Sequence, residues 1–217
     1  MKHLKFILVA VAIATAVTIS WGQGSFHGSI KFKIYAVGKP VLPLFDSAMY
    51  TYCSNGFFIE HVFDSDPSHF QFEKMITDDS TNYTQFKGES NTILISKASQ
   101  SVARKVETTD EFQTILNHRC QKYIVKRLVD DSTTITENWW IASDLKLAGN
   151  YPRKLEENPG CPLKYELLRE RRDGKKGYIE VFEAVEIRPS DVHFDLESFL
   201  KGKNVTTKNP LEPFFRH

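Results

Sequence analysis

The chain reads as a mainly β protein: a curved antiparallel sheet, or half-barrel, with one or two short helices packed on it. Three observations predict this. Apolar and polar residues alternate at period two in a series of short runs, the mark of strands with one buried face. Turn chemistry recurs between the runs, at Ser54-Asn55-Gly56, at 129–132 and at Asp173-Gly174. The last long run is apolar on both faces, with Ile179, Val181, Val185 and Ile187 on one and Tyr178, Phe182 and Ala184 on the other. A sheet with such a strand is covered on both sides or curled around a cavity.

The first strand runs from Phe26 to Ala36, where Phe26, Gly28, Ile30, Phe32 and Ile34 alternate with Lys31, Lys33 and Tyr35. Gly38 and Pro40 stop it. Met49–Cys53 and Phe57–Val62 flank Asn55-Gly56, a dipeptide suited to the positive φ angles of a tight hairpin. Phe70–Ile76, Thr92–Ser96 and Ser101–Val106 read as further strands, with Thr77–Asn82 and Lys87–Asn91 as turns between them. Arg119–Leu128 and Thr133–Ala142 form a second hairpin. Ser143-Asp144-Leu145 opens a short helical turn with Ser143 placed to cap it. The stretch 149–160 holds Pro152, Pro159 and two glycines and reads as loop. Leu163–Arg171 and Tyr178–Ile187 make a third hairpin, and a last helix spans Phe194–Lys201, stopped by Gly202. Residues 203–217 read as a frayed tail, with Pro210 and Pro213 excluding regular structure.

Residues 1–22 have the three parts of a secretory signal. Lys2 and Lys5 make a basic start, Phe6–Ile19 an apolar centre, and Ser20 and Gly22 supply the small residues before a cut at Gln23. The apolar run is shorter than the ~20 residues that span a bilayer, and no cysteine follows it to carry a lipid. The expected organisation is thus a signal peptide over 1–22, a single β-rich domain over 23–202 and the tail. Cleavage removes two lysines and no acid, leaving 26 basic residues against 27 acidic ones, a formal charge of −1. A nearly neutral domain has no electrostatic footprint for nucleic acid. The expected location is periplasmic or secreted, with no transmembrane span after cleavage.

Residues that carry chemistry are sparse. The histidines at 27, 61, 69, 118 and 193 show no metal-binding spacing, and no cofactor fingerprint or nucleophile elbow occurs. His118 stands two residues from Cys120, so a Cys–His nucleophile is conceivable, though such a pair arises easily by chance. Asp64, Asp66, Asp78, Asp79, Asp130 and Asp131 fall in turns, where Asp stabilises the turn itself. The chain is read as non-enzymatic, without cofactor or metal. Cys120 and Cys161 are the pair favoured for a disulfide. On strands flanking a common neighbour they would stand ~9.5 Å apart, beyond the ~7 Å Cα separation a bridge tolerates, unless 143–160 folds Cys161 back. Aromatic residues are the suggestive remainder. Tyr50 and Tyr52 share a strand face; Trp139 and Trp140 are adjacent and point oppositely, one to core and one to a second layer or a ligand. The candidate ligand-facing set is Tyr50, Tyr52, Trp140, Tyr178 and Phe182.

The second half carries a resemblance. Ile115-Leu116-Asn117-His118-Arg119-Cys120-Gln121-Lys122-Tyr123-Ile124-Val125, followed by Thr136-Glu137-Asn138-Trp139-Trp140-Ile141-Ala142-Ser143-Asp144-Leu145, resembles an uncharacterised family of exported Gram-negative envelope proteins, the DUF4412 type. Pro162–Glu166 and Val185–Phe194 are similar to the closing strands of that family. Asn117-His118 departs from its usual Gly-Tyr, and Cys161 is an addition. The family looks related to periplasmic lipoprotein carriers (LolA-like), whose half-barrel encloses an apolar cavity for acyl chains. The resemblance implies a lipid or acyl-chain ligand; the alternatives are an envelope assembly module working through protein partners and, third, a hydrolase.

Overall fold

The computed structural model describes residues 25–37, 46–63, 72–78, 80–98, 103–128, 134–147, 159–169 and 178–208. The expected signal segment lies outside them, as do the Asp173-Gly174 turn and most of 149–160. No helix of the described residues is long and apolar enough to cross a membrane.

The described residues form one sheet of twelve strands. Its first meander is β1 (Gly28–Val37), β2 (Ser47–Tyr52), β3 (Phe58–Phe63), β4 (Phe72–Thr77), β5 (Thr81–Phe86) and β6 (Thr92–Lys97). The second is β7 (Ala103–Ile115), β8 (His118–Leu128), β9 (Thr134–Ala142), β10 (Cys161–Arg169) and β11 (Tyr178–Pro189). A short helix α1 (Leu196–Leu200) and a last strand β12 (Asn204–Thr206) follow. The two meanders join where β1 pairs with β11, so the order across the sheet is β12-β6-β5-β4-β3-β2-β1-β11-β10-β9-β8-β7. All neighbours are antiparallel except β12, which runs parallel to β6.

That order requires curvature. β6 and β7 stand ten strand intervals apart in the sheet, which is about 48 Å if it were flat. Only five residues join Lys97 to Ala103, a reach of about 22 Å when fully extended. The sheet must therefore curl to bring its two ends together, and the predicted half-barrel follows from chain length alone.

The three predicted hairpins form, and the structure adds elements that the sequence conceals. β5 stands where only a turn is expected to end at Asn82; the actual turn is at Asp78, whose Oδ1 accepts from the backbone N–H of Ser80 and Thr81 at 2.8 Å each. β7 extends nine residues beyond Val106 and turns into β8 through Leu116 and Asn117, both at positive φ (48° and 68°), the backbone of a two-residue hairpin. β12 occupies part of the expected tail. The turn at Ser143 does not grow into a helix; the Leu145 N–H bonds to Ala142 O at 3.3 Å and the chain passes on to Leu147, which bridges Phe26. Gly160 enters β10 with φ of +143°, and a Cβ there would lie 2.2 Å from Ala142 O, so no other residue fits.

Two apolar clusters hold the sheet, on opposite faces. On the inner face Ile30, Phe32, Ile34, Ala48, Tyr50, Tyr52, Phe58 and Val62 of β1–β3 pack with Trp139, Tyr165 and Leu167 of β9 and β10. On the other face Ile76, Tyr83 and Ile93 are covered by Phe194, Leu196, Phe199 and Leu200 around α1. The switch happens in β3, where Phe58 faces inward and Ile59 outward. α1 is capped by Asp195, whose carboxylate accepts from Ser198 N at 3.0 Å and Ser198 Oγ at 2.6 Å.

Candidate functional site

The inner face carries a continuous row of aromatic rings. Trp139 stands 5.2 Å from Tyr165, Tyr165 5.9 Å from Phe32, and Phe32 4.8 Å from Tyr50. Phe58 then touches both Tyr50 and Tyr52 at 5.3 Å, and Tyr52 ends on Phe26 at 5.9 Å. Phe182 joins from the side, 6.3 Å from Tyr165. Curvature makes the row possible. Phe32 and Tyr165 sit on strands separated by β11, yet their rings meet because Ala184, the cross-strand partner of Phe32, is small.

Of the five expected residues, Tyr50 and Tyr52 lie in this row, buried, and Phe182 packs on it, half-buried. Trp140 is also buried and belongs to the same apolar cluster, but it is not in the row. Its cross-strand partners are Lys122 and Lys164, and their ammonium groups stand 5.6 and 4.5 Å from the ring centroid. It therefore points opposite to Trp139 and Tyr165, into an ionic outer layer where Lys122 pairs with Glu111 at 2.9 Å and Lys164 with Glu166 at 3.1 Å. The tryptophan of the aromatic row is Trp139. Tyr178 begins β11 opposite Arg169, and its side chain lies outside the described residues. A parity error concerns Ile187. An irregularity in the β1–β11 register after Lys31 leaves Val185 unpaired and turns Ile187 to the face of Phe182 and Ala184.

Tyr52 lies at the Cys161 end of the row. It is 6% exposed, and its hydroxyl meets no nitrogen or oxygen at hydrogen-bond distance, only the Cys161 thiol. The Cys161 thiol lies nearby but turns to Pro162 O at 3.8 Å. Burial, then the neighbouring Cys161, Tyr165 and Tyr50, push the phenol well above its usual pKa, so it stays a neutral donor.

Two carboxylates also reach the inner face. Glu137 and Glu180 flank Leu167 across β9, β10 and β11, each 1% exposed. Glu137 Oε2 accepts from Trp139 Nε1 at 2.9 Å, which fixes that indole; both carboxylates are engaged by further neighbours. Sequence reading passed over them because a lone Glu in a strand carries no motif.

The three cysteines are free thiols, all buried. Cys120 and Cys161 stand on the strands that flank Ala142, both in register with it, so the expected bridge is not made and the two-strand spacing argued against it is the one found. A Cys–His nucleophile is not assembled either. Burial pushes the Cys120 thiol up to about 11, away from the thiolate that such chemistry needs. The His118 ring turns instead to Asp144, Nδ1 to Oδ2 at 2.7 Å.

The outer layer next to β1 is a tight ionic group. Tyr35 donates to Glu183 Oε2 at 2.8 Å, and Lys33 Nζ pairs with the same oxygen at 3.1 Å. Burial raises the Glu183 carboxyl, but the bonds from Tyr35 and Lys33 outweigh it and hold it below the usual carboxylate value. Burial and the bond to Glu183 in turn push Tyr35 up to about 12.

No family model matches the chain, so membership of the DUF4412 type is not confirmed. No curated protein matches it. Among solved structures it is similar to LprF from Mycobacterium bovis, at 11% identity and a TM-score of 0.34, over 85% of this chain and 90% of that one. It is also similar to a LolA superfamily protein from Nitrosomonas europaea, at 9% identity and a TM-score of 0.38, over 80% and 90%. Superpositions this loose leave the half-barrel description resting on the strand order and the function on the site.

Proposed function

We propose that the chain is an exported, non-catalytic binding or carrier protein that holds a lipid or other apolar ligand on its aromatic inner face. The observation that carries this reading is the aromatic row around the buried Tyr52 hydroxyl, beside which only the Cys161 thiol, a weak acceptor, is placed to hydrogen-bond. A ligand whose carbonyl or ester oxygen reached Tyr52, with its hydrocarbon along Phe58, Phe32 and Trp139, would supply a stronger acceptor. The signal-like segment 1–22 supports an envelope or secreted location, the place where such a carrier meets lipid.

The second reading is an assembly module. It is favoured by the sheet edge at β7, where Val106, Phe112 and Leu116 are exposed. A free edge can add a strand from a partner.

Tryptophan quenching by an ester with a brominated acyl chain separates these readings. On the carrier reading the chain is quenched saturably, the Trp139→Phe variant loses most of the effect and Trp140→Phe keeps it. Quenching that follows Trp140, or none at all, contradicts ligand seating on the inner face.

A further inference from the structure

The outer face holds a hollow of about 360 Å3 over β3, β2, β1 and β11. We propose that it binds a small amphipathic carboxylate, independently of the inner face. The hollow lies beside the register irregularity of the β1–β11 pair, next to Lys31. Its size lies within the range of small-molecule sites.

Its lining is divided. Met49 and the 39%-exposed Phe63 form an apolar wall. Lys31 and Arg188 supply two cations, with Ser29 and Ser47 hydroxyls between them. Glu186 is the acid in the lining and the cross-strand partner of Lys31, yet its Oε1 accepts from Arg188 Nε at 2.5 Å. Lys31 is thereby left with no ion pair among the described residues, and the hollow keeps one net positive charge. Glu186 occupies only Nε of Arg188, so the terminal N–H groups of its fork remain to meet a carboxylate. His61, beside this wall on β3, adds no third cation near neutral pH. Burial and then Lys74 lower its pKa, and Glu73 opposes them only in part.

A carboxylate satisfies this set better than a phosphate dianion, because a single net cation matches a single charge. An apolar tail then covers Met49 and Phe63. A fully apolar ligand would leave Lys31 and both serines unmatched.

Calorimetric titration of the full chain with octanoate, 1-octanol and octylammonium tests the proposal. Octanoate is expected to bind, and octanol and octylammonium at least about tenfold more weakly. Lys31→Met and Arg188→Gln should each weaken octanoate by about tenfold or more, whereas the inner-face variant Tyr52→Phe should leave it unchanged. Melting curves of each variant establish that it is folded; Lys31→Ala serves if Lys31→Met is not. Equal binding of octanoate and octanol, or octanoate binding that survives Lys31 substitution and falls with Tyr52→Phe, overturns the outer site. Loss of the brominated-ester quenching with octanoate selectivity intact would overturn the inner-face reading alone.

Discussion

The two halves of the sheet bury apolar surface on opposite sides, and they do so differently. In β4–β6 the apolar face is closed by the chain itself: Phe194, Leu196, Phe199 and Leu200 cover Ile76, Tyr83 and Ile93. In β1–β3 and β9–β11 the apolar face is inside the curl, where a connected row of rings (Trp139, Tyr165, Phe32, Tyr50, Phe58 and Tyr52) runs among aliphatic side chains such as Ile30, Ile34, Val62 and Leu167. The first region is covered by a helix of the same chain; the second is the face on which the proposed ligand would lie.

The contrast can be broken or sharpened by substitution. The largest effect is expected in the aromatic half, where Phe32 is completely buried and touches both Tyr50 and Tyr165. Phe32→Ala should cost ~3–5 kcal/mol in chemical denaturation. Gly160→Ala should cost more than about 1 kcal/mol, because the new Cβ collides with the Ala142 carbonyl. Phe199→Ala, on a half-buried position over the other half, should cost about 1–2 kcal/mol and speed amide exchange in β4–β6 without altering ligand binding. The smallest effect is expected from Asp195→Ala, which removes the cap of α1; faster exchange at Ser198 N–H should report it.

Alkali should act on the aromatic half first. Cys120 is raised by burial from 9.0 to about 11, and Cys161 and Tyr52 are raised further. The neutral forms are favoured by the fold, so their stabilising contribution is complete below the unfolded thiol value of 9.0 and is lost as pH rises toward 11. The melting temperature should hold near neutrality and fall above about pH 9. A flat profile through pH 11 would mean that the thiols are not buried as described.

Much of the fold was legible because hairpin chemistry is local. Asn55-Gly56 marked β2–β3, alternation marked β1, and runs bounded by turn residues marked β8–β11. What stayed hidden was structure without local signal. β5 (Thr81–Phe86) is polar at most positions and is held by its neighbours β4 and β6. The middle of β7 reads Glu107-Thr108-Thr109-Asp110-Glu111, since an edge strand buries little. The turn at Leu116-Asn117 takes positive φ without glycine. Which residues share the inner face was partly visible: Tyr50, Tyr52 and Phe182 followed from parity, whereas placing Trp139 on that face and Trp140 on the other needed the register that sets Trp139 beside Tyr165 and Trp140 between two lysines. Ile187 was misplaced because a bulge resets parity, and no residue type announces one.

The central claim is that the inner face carries an apolar ligand, and native mass spectrometry of the protein purified without detergent from its own envelope tests it most directly. The account predicts a bound species of defined mass, recovered by lipid extraction and weakened by Trp139→Phe or Tyr52→Phe. A clean unliganded mass that stays unchanged on adding phospholipids would contradict it.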